Sequence, residues 1–207
     1  LILNNHIYYE FIEVKDLLIG KKNYICLSDV KVGENYALVI STSSGLWRYD
    51  IGDTVQFTQL EPYRIIVTGR IKQFISAFGE HVIAKEVETT IKEVSSKLNL
   101  KVREFTVAPQ VSPKAGLPFH EWFIEFDEIN DNLDEIEGIM DKIMQRQNIY
   151  YKDLIQGKIL SPLRIKKIKK GGFNLFMKSV GKLGGQNKVP HLSNDRKIAN
   201  QLKNYTI

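Results

Sequence analysis

The chain changes in character near residue 70, and this change constrains its fold more than any other feature of the sequence. Before it, short runs of β-branched and aromatic residues alternate with turn residues. After it, apolar residues recur at helical spacing over long segments that strands separate. Because 207 residues can hold one large domain or parts of two, we expect an α+β protein with one domain over 1–71 and a second over 72–207.

The first domain is predicted to be β-rich. Its strands are short and suit a small antiparallel sheet or barrel, and Gly52-Asp53 is predicted to be a turn between two of them. Leu1 is not a methionine, and residues 1–14 have the character of strands already in progress. We therefore expect the β-rich end of a truncated large domain, in a piece of a longer chain. The predicted strands cover 23–31, 36–40, 46–49, 54–58 and 64–68.

The second domain is predicted to be a complete, small α+β sandwich. Its first helix places Val87, Ile91 and Val94 on one face, and Asn132 with Glu135 gives the second helix a capping-box start. The core order β-α-β-β-α-β, followed by extra helices, is typical of a split-βαβ fold. The predicted strands cover 71–78, 102–108, 119–126 and 163–169, and the predicted helices cover 84–98, 133–144, 173–180 and 195–202.

Bulk properties exclude several classes of protein. A net charge of +5 favours an anionic partner only weakly, because a small lysine excess more often serves solubility. The single cysteine, Cys26, excludes an internal disulfide, and the four histidines lack metal-ligand spacing, so no metal site is expected. There is no run of about 18 apolar residues and no signal-peptide pattern. We expect a cytoplasmic protein without a membrane partner.

An aspartate and an arginine near the domain boundary are candidates for nucleotide binding. Asp53 in WRYDIGD is either a turn residue or a carboxylate for the two hydroxyls of a ribose. Arg70 in GRIKQ is either a solvated charge or a planar guanidinium that holds a ribose or a phosphate. The short interval between the two motifs favours the functional interpretation of Asp53.

A lysine near the end of the chain is the candidate for catalysis. Lys188 lies in KLGGQNKVPHL, where Gly184 and Gly185 permit close backbone approach and Pro190 stiffens the far side. The alternative is one lysine among many in a surface loop. The segment lacks the GxxxxGK[ST] pattern of a Walker phosphate loop, but it could place one ammonium group on a developing negative charge.

The strand FHEWFIEF offers a different class of function. In a β-α-β-β-α-β order it is similar to the third strand of an RNA-recognition motif. Glu121, however, stands where a base-stacking aromatic is needed, and His120 replaces a glycine. A basic module that binds RNA or another polyanion is therefore an alternative, and nucleic acid is not the expected partner.

Several motifs in a fixed order resemble one family. WRYDIGD, VTGRIKQFISAFGEHVIAKEVE and GGQNKVP resemble the adenylate-forming superfamily and, within it, the C-terminal part of the GH3 acyl-acid amido synthetases in a bacterial version. NNHIYYEFIEV and SPLRIKKIKKGGFNLFM extend the resemblance over essentially the whole chain. It implies a ligase that uses ATP and Mg²⁺ to convert a small carboxylic acid to an acyl-adenylate and passes the acyl group to an amino acid. An acyl-CoA ligase of the same superfamily is the alternative.

The resemblance also implies roles for individual residues. Asp53 corresponds to the ribose-binding aspartate, and Arg70 to the arginine after the last strand of the large domain. Lys72 falls at the hinge between the domains. Lys188 corresponds to the catalytic lysine that contacts phosphate and acyl oxygens during adenylation.

A second segment is implied for the transfer step. Rotation of the small domain would exchange Lys188 for the loop at Gly79-Glu80, which lies on the acceptor side.

The Ser/Thr/Gly-rich phosphate loop and most of the acyl pocket of the family are absent from these residues and belong to the N-terminal large domain, the missing partner. We therefore expect this piece to be inactive on its own.

Overall fold

The computed structural model describes residues 3, 5–18, 20–71, 74–128, 132–182, 184 and 188–207. The chain is of the α+β class, with sheets and helices in two compact units, Leu1–Lys72 (unit 1) and Gln73–Ile207 (unit 2). Among the described helices, none is long and apolar enough to cross a membrane.

Unit 1 is built on one antiparallel sheet of five strands. In chain order the strands are β1 (Ile7–Glu13), β2 (Ile25–Cys26), β3 (Asn35–Thr42), β4 (Tyr49–Leu60) and β5 (Tyr63–Arg70), with a short helix α1 (Val14–Leu18) after β1. Their order in the sheet is β2-β1-β3-β4-β5. Each pair of neighbours is antiparallel.

Aromatic side chains form the centre of unit 1. Phe11, Tyr36 and Phe57 come from β1, β3 and β4, and their rings meet edge to face with centroids 5.2 to 6.0 Å apart. Tyr63 of β5 extends the cluster at 6.0 Å from Phe57. Edge-to-face packing is favourable beyond the area that it buries, so the cluster joins four of the five strands.

The predicted turn at Gly52-Asp53 is wrong, because β4 runs through both residues as a single strand. Pairing with β3 passes from Asp50↔Val39 to Thr54↔Ala37, so β4 carries extra residues in a bulge. Gly52 has φ +82°, a conformation that glycine adopts without steric cost. The glycine therefore bends a continuous strand and does not reverse the chain.

Unit 2 combines a three-stranded sheet with helices. Its elements are β6 (Phe74–Ile75), β7 (Val82–Ile83), α2 (Ala84–Leu98), β8 (Val102–Gln110), β9 (Phe119–Phe126), α3 (Leu133–Gln147), α4 (Ile149–Gln156), β10 (Arg164–Ile168), α5 (Gly172–Ser179) and α6 (Lys197–Leu202). The sheet order is β10-β9-β8, with β9 antiparallel to β8 and parallel to β10. β6 and β7 form a separate antiparallel ribbon.

Several predicted elements agree with these bounds, notably α2 and β9. Asn132 caps α3, since its side-chain oxygen accepts a hydrogen bond from Asp134 N at 3.1 Å. The helix α4 was not predicted, because its aromatic and β-branched residues favour a strand. The predicted β-α-β-β-α-β core order is not confirmed: among the described residues, the strands before α2 pair only with each other.

Both faces of β9 are covered by helices. On one face, Trp122 and Ile124 belong to a core with Val87 of α2 and Met140 of α3. On the other face, Phe123 packs in a second core with residues of α5 and α6. In the part of the chain that the structure describes, this strand therefore presents no open sheet face on which bases could stack.

The carboxylates on β9 are also buried, and each has a polar partner. Glu125 accepts hydrogen bonds from Gly171 N at 2.7 Å and Phe173 N at 3.2 Å, at the start of α5. Glu121 is paired with Arg196, the residue before α6. These contacts satisfy the rule that a buried charge needs a partner.

Removal of a side chain from the double-faced strand should weaken unit 2. Ile124→Ala should lower the free energy of unfolding by about 2–5 kcal/mol, because it leaves a cavity at a fully buried position. Ile149→Ala is the matched control, since Ile149 is 57% exposed, and it should change stability by less than about 0.5 kcal/mol. Urea unfolding followed by the fluorescence of buried Trp122 measures both. Equal losses in the two variants would contradict this account of the core.

Candidate functional site

The two candidate nucleotide-binding residues lie side by side in unit 1. Asp53 of β4 and Arg70 of β5 are direct partners in the register of the two strands. Arg70 Nε lies 3.2 Å from Asp53 Oδ1, and the side chains are 70% and 31% exposed. An ion pair this exposed contributes about 0–1 kcal/mol to stability. Both groups can therefore exchange their mutual contact for a ligand at little cost to the fold.

Among the other residues of WRYDIGD, Arg48 makes contacts within unit 1, whereas two aromatic side chains are exposed. Arg48 turns onto Glu10 of β1, with Nε and one Nη within 3.0 to 3.2 Å of the carboxylate oxygens, and it also covers the Tyr24 ring at 4.4 Å. Trp47, in contrast, is 83% exposed, and Tyr49 is exposed as well. The WRYDIGD segment thus carries exposed aromatic rings and Asp53, and the neighbouring strand β5 carries Arg70, the partner of Asp53.

In unit 2, the predicted acceptor-side loop connects β6 to β7 as loop 76–81. Its base is closed by a contact of 2.7 Å between Ser76 Oγ and His81 Nδ1. Gly79 has φ +89° and His81 has φ +49°, and the residue between them, Glu80, turns into the domain. The loop therefore exposes Gly79 and directs the neighbouring carboxylate inward.

The Glu80 carboxylate is bound by its own loop and by the central strand of the sheet. Oε2 accepts a hydrogen bond from Phe78 N at 2.8 Å, and Oε1 lies 2.9 Å from His120 Nε2. The side chains of Glu80 and His120 are 0% and 1% exposed. Burial alone would raise the pKa of the Glu80 carboxyl, but the hydrogen bond and charge of His120, together with backbone hydrogen bonds, outweigh burial, and the pKa lies below its ordinary value.

A second carboxylate, Glu86, lies beside this pair and accepts hydrogen bonds from neutral groups. It accepts hydrogen bonds from Ile83 N at 2.9 Å and from Asn148 Nδ2 at 3.2 Å. The same Asn148 nitrogen donates to the backbone oxygen of Glu80 at 2.9 Å. Burial raises the pKa of the Glu86 carboxyl to about 7, because the hydrogen bonds from Ile83 N and Asn148 and the charge of Lys85 compensate only in part for lost hydration.

The candidate catalytic lysine, Lys188, is exposed at the edge of a cavity of about 350 Å³. Arg103, Glu104 and Lys182 also line this cavity. No side-chain hydrogen bond of Lys188 occurs within the part of the chain that is described. Any catalytic role of Lys188 would therefore depend on where its segment holds the ammonium group.

The segment after Lys188 is fixed on β8. Thr106 Oγ1 donates to the Pro190 carbonyl at 2.7 Å, and Val107 N donates to the His191 carbonyl at 3.0 Å. The His191 ring stacks on Phe105 with centroids 4.3 Å apart. The chain is therefore anchored from two residues beyond Lys188 onward.

His191 adds an ionic contact to this anchor. Its Nδ1 lies 2.8 Å from Glu88 Oε1 of α2, and its Nε2 lies 3.3 Å from Glu104 Oε1 of β8. The hydrogen bond to Glu104 raises the pKa of His191, the bond to Glu88 acts in the same direction, and partial burial opposes them. When it is protonated, His191 links α2 to β8 through its contacts with these two carboxylates.

The predicted site residues are thus grouped within each unit. Asp53 and Arg70 meet in unit 1, and the Gly79-Glu80 loop and Lys188 belong to unit 2. Lys72, the predicted hinge, lies outside the described residues, and the domain limits 1–71 and 72–207 stay predictions. Among the described residues, no group of three or more His, Cys, Asp or Glu side chains could hold a metal ion.

Sequence reasoning missed three residues that organise these sites. His120, Asn148 and His191 were not among the predicted site residues. For His120 a signal exists, because it alternates with Trp122 and Ile124 along β9 and so shares their core-facing side. The partners of Asn148 and His191 are distant in sequence, and no local pattern indicates them.

Comparison with protein families assigns both parts of the chain. Residues 1–70 match the GH3 family central domain, and residues 85–197 match the GH3 family C-terminal domain.

The curated relatives are named as synthetases that join an acid to an amino acid. Indole-3-acetic acid-amido synthetase GH3.3 of Arabidopsis thaliana is 27% identical over 200 residues, which are 91% of this chain and 34% of the relative. Jasmonoyl--L-amino acid synthetase JAR4 of Nicotiana attenuata is 29% identical over 148 residues, 68% of this chain and 26% of the relative. The chain spans about a third of the length of the first curated relatives that it matches.

Solved structures agree in fold. GH3.15 acyl acid amido synthetase superposes with a TM-score of 0.72 at 24% identity, over 97% of this chain and 37% of that one. A 2-hydroxyisobutyryl-CoA ligase in a postadenylation state superposes with a TM-score of 0.53 at 14% identity, over 97% of this chain and 39% of that one. At these identities the similarity concerns the fold alone.

The raised pKa of Glu86 should make unit 2 less stable as pH rises. The unfolded carboxyl ionises near its ordinary value of 4.5 and the folded one near 7. The contribution is fully present below the lower value and is lost as pH rises to the upper one. The difference amounts to about 3 kcal/mol.

Glu86→Gln should therefore remove most of this pH dependence. It should also stabilise unit 2 at pH values above the pKa of the Glu86 carboxyl in the folded state. Urea unfolding across this range, followed by Trp122 fluorescence, measures it. Glu93→Gln, at a more exposed site on the same helix, is the control and should keep the slope of the unsubstituted protein. A Glu86→Gln variant with that same slope would show that the pKa of Glu86 is not raised in the folded state.

Proposed function

Because the chain belongs to the GH3 family, we propose that it is the central and C-terminal part of an ATP-dependent ligase that joins a small carboxylic acid to an amino acid through an acyl-adenylate. The named relatives are amido synthetases. The observation that carries the proposal is the exposed Asp53–Arg70 pair on neighbouring strands. Its two side chains have the chemistry that a ribose and a phosphate need, and they have little structural duty.

In this proposal Asp53 accepts hydrogen bonds from the ribose hydroxyls of ATP, and Arg70 donates to the ribose or a phosphate. The bulge at Gly52 supports this role, because it shapes β4 immediately before Asp53. Mg²⁺ enters with ATP as part of the substrate. The absence of a metal-binding cluster among the described residues is compatible with an ion held mainly by phosphate oxygens and water.

Lys188 acts in the adenylation step. A carboxylate oxygen of the acid attacks the α-phosphorus, pyrophosphate leaves, and negative charge accumulates on the oxygens around phosphorus. The Lys188 ammonium group stabilises that charge. Its anchored segment on β8 limits where the ammonium group can lie.

Loop 76–81 acts in the second step, when the amine attacks the acyl carbon and AMP leaves. Rotation of unit 2 about a hinge at Lys72 would exchange Lys188 for this loop. The acceptor-side role of Gly79 and Glu80 and the hinge role of Lys72 are both part of the proposal. A cytoplasmic location and a bacterial origin also stay predictions.

The relatives indicate which acids to test. Their names include indole-3-acetic acid and a jasmonoyl group, and one solved GH3.15 structure holds 2,4-DB. We propose a substrate of this class, a small acid with an apolar body. Coenzyme A as acceptor, in place of an amino acid, is the alternative within the superfamily.

Lys188→Ala in the enzyme that contains this chain should lower ATP–pyrophosphate exchange by about 100-fold or more, because the charge on the α-phosphate loses its cation. Exchange is measured with indole-3-acetic acid, jasmonic acid and 2,4-DB in turn. Lys178→Ala, at an exposed lysine of α5, is the control and should leave exchange unchanged. Normal exchange by the Lys188 variant would remove Lys188 from the mechanism.

The isolated 207-residue chain should show no ATP–pyrophosphate exchange with any of these acids, since it spans about a third of its curated relatives. The longer enzyme should form an amide with an amino acid and no thioester with coenzyme A. Exchange by the isolated chain would refute the first expectation. Thioester formation in place of amide formation would favour the acyl-CoA ligase, and salt-dependent RNA binding without exchange would favour the polyanion-binding alternative.

A further inference from the structure

Glu80 is the residue through which loop 76–81 is held from inside unit 2. Ala77 and Gly79 of the loop are exposed, whereas Glu80 is fully buried. One carboxylate oxygen binds the loop at Phe78 N, and the other meets His120 on β9. The Glu80 side chain therefore links the loop backbone to the central strand, in addition to the contacts of Ser76 N with Asn194 and of the His81 ring with Tyr150.

The residues behind Glu80 are themselves buried. His120 lies on the central strand of the three-stranded sheet, and its ring packs against Tyr151 of α4 with centroids 5.1 Å apart. Asn148, the cap of α4, holds the Glu80 carbonyl at 2.9 Å. A strand and a helix start thus fix the side chain and the backbone of the same residue.

Stability alone does not account for a buried carboxylate–imidazole pair. Apolar side chains of similar volume often hold a core as well or better, because a buried pair must compensate for the lost hydration of its charges. Hydrogen bonds add direction, and contacts of 2.8 and 2.9 Å on the two oxygens specify where the carboxylate lies. What the pair supplies beyond an apolar contact is a defined loop position.

We propose that His120 is a positioning residue for amide formation, holding loop 76–81 through Glu80 in the shape that meets the acceptor amine. This inference rests on the proposed function. In the step concerned, the amine nitrogen bonds to the acyl carbon, the bond from that carbon to the adenylate oxygen breaks, AMP leaves with the electron pair, and one amine proton passes to water. His120 touches none of these atoms and acts through Glu80.

Three variants of the enzyme that contains this chain separate positioning from structure. His120→Gln keeps an N–H donor toward Glu80, and His120→Leu removes it. The double variant Glu80→Leu with His120→Leu replaces the pair by an apolar contact that can keep the fold. Adenylation is measured by ATP–pyrophosphate exchange with the most active acid of the panel. Transfer is measured in a single turnover, by mixing enzyme-bound acyl-adenylate with an equimolar mixture of the proteinogenic amino acids.

His120→Leu and the double variant should slow transfer by about 10- to 100-fold, because a loop misplaced by about 1 Å loses its alignment with the reacting atoms. Exchange should stay within about twofold of the unsubstituted enzyme in all three variants. His120→Gln should retain most of the transfer rate. Hydrogen–deuterium exchange should become faster at the loop amides in His120→Leu and the double variant only.

Two results would overturn the positioning role. One is normal transfer by the double variant, and the other is an equal loss of exchange and transfer in His120→Leu, as expected for a purely structural residue. Failure of the proposed function is seen elsewhere, in the unsubstituted enzyme, as an absence of exchange with every acid. The two failures are therefore distinguishable.

Discussion

Burial of β9 on both faces is the constraint on which much of unit 2 depends. The strand carries His120, Glu121 and Glu125 among its apolar residues, and all three are buried. Each must find a polar partner, because an unpaired buried charge would cost several kcal/mol. The partners belong to three different segments: loop 76–81, Arg196 before α6, and the first turn of α5. One central strand thus fixes the position of three peripheral segments.

The candidate functional groups of the two units are held in opposite ways. In unit 2, loop 76–81 is fixed by buried contacts to β9, and the segment after Lys188 is fixed to β8 by backbone hydrogen bonds and by His191. In unit 1, the Asp53–Arg70 pair is exposed and weakly held. This contrast suits the proposed chemistry, since groups that bind a ligand must be free to change partners, while groups that move as a body must keep their internal geometry.

Local sequence patterns predicted many of the helices and strands, but they could not predict contacts between residues that are distant in sequence. Ala84–Leu98 and Phe119–Phe126 have the predicted bounds, because a helical repeat and a dense apolar run each indicate one structure. Gly52 misled the prediction of β4, because glycine marks a bulge as readily as a turn.

The same limit applies to the candidate site. WRYDIGD and GRIKQ drew attention to Asp53 and Arg70, but their contact depends on a register that bulges shift twice between β4 and β5. The pairing of Glu80 with His120 joins residues 40 positions apart, and it requires the β9 face to be assigned first. Residue identities therefore suggested the chemistry of unit 1, whereas the support of the unit 2 loop emerged only from packing.

Two glutamates near Asn148 show how that packing controls charge. Glu80 is buried and Glu86 is half-buried, and both meet Asn148, one through its carbonyl and the other through its carboxyl. His120 keeps the pKa of Glu80 low, while burial raises the pKa of Glu86 to about 7. The loop anchor is therefore ionised throughout the neutral range, and the neighbouring carboxyl remains partly protonated there. Because the two sites differ in this way, the negative charge next to Glu80 is only partly developed at neutral pH, while the charge that holds the loop is kept.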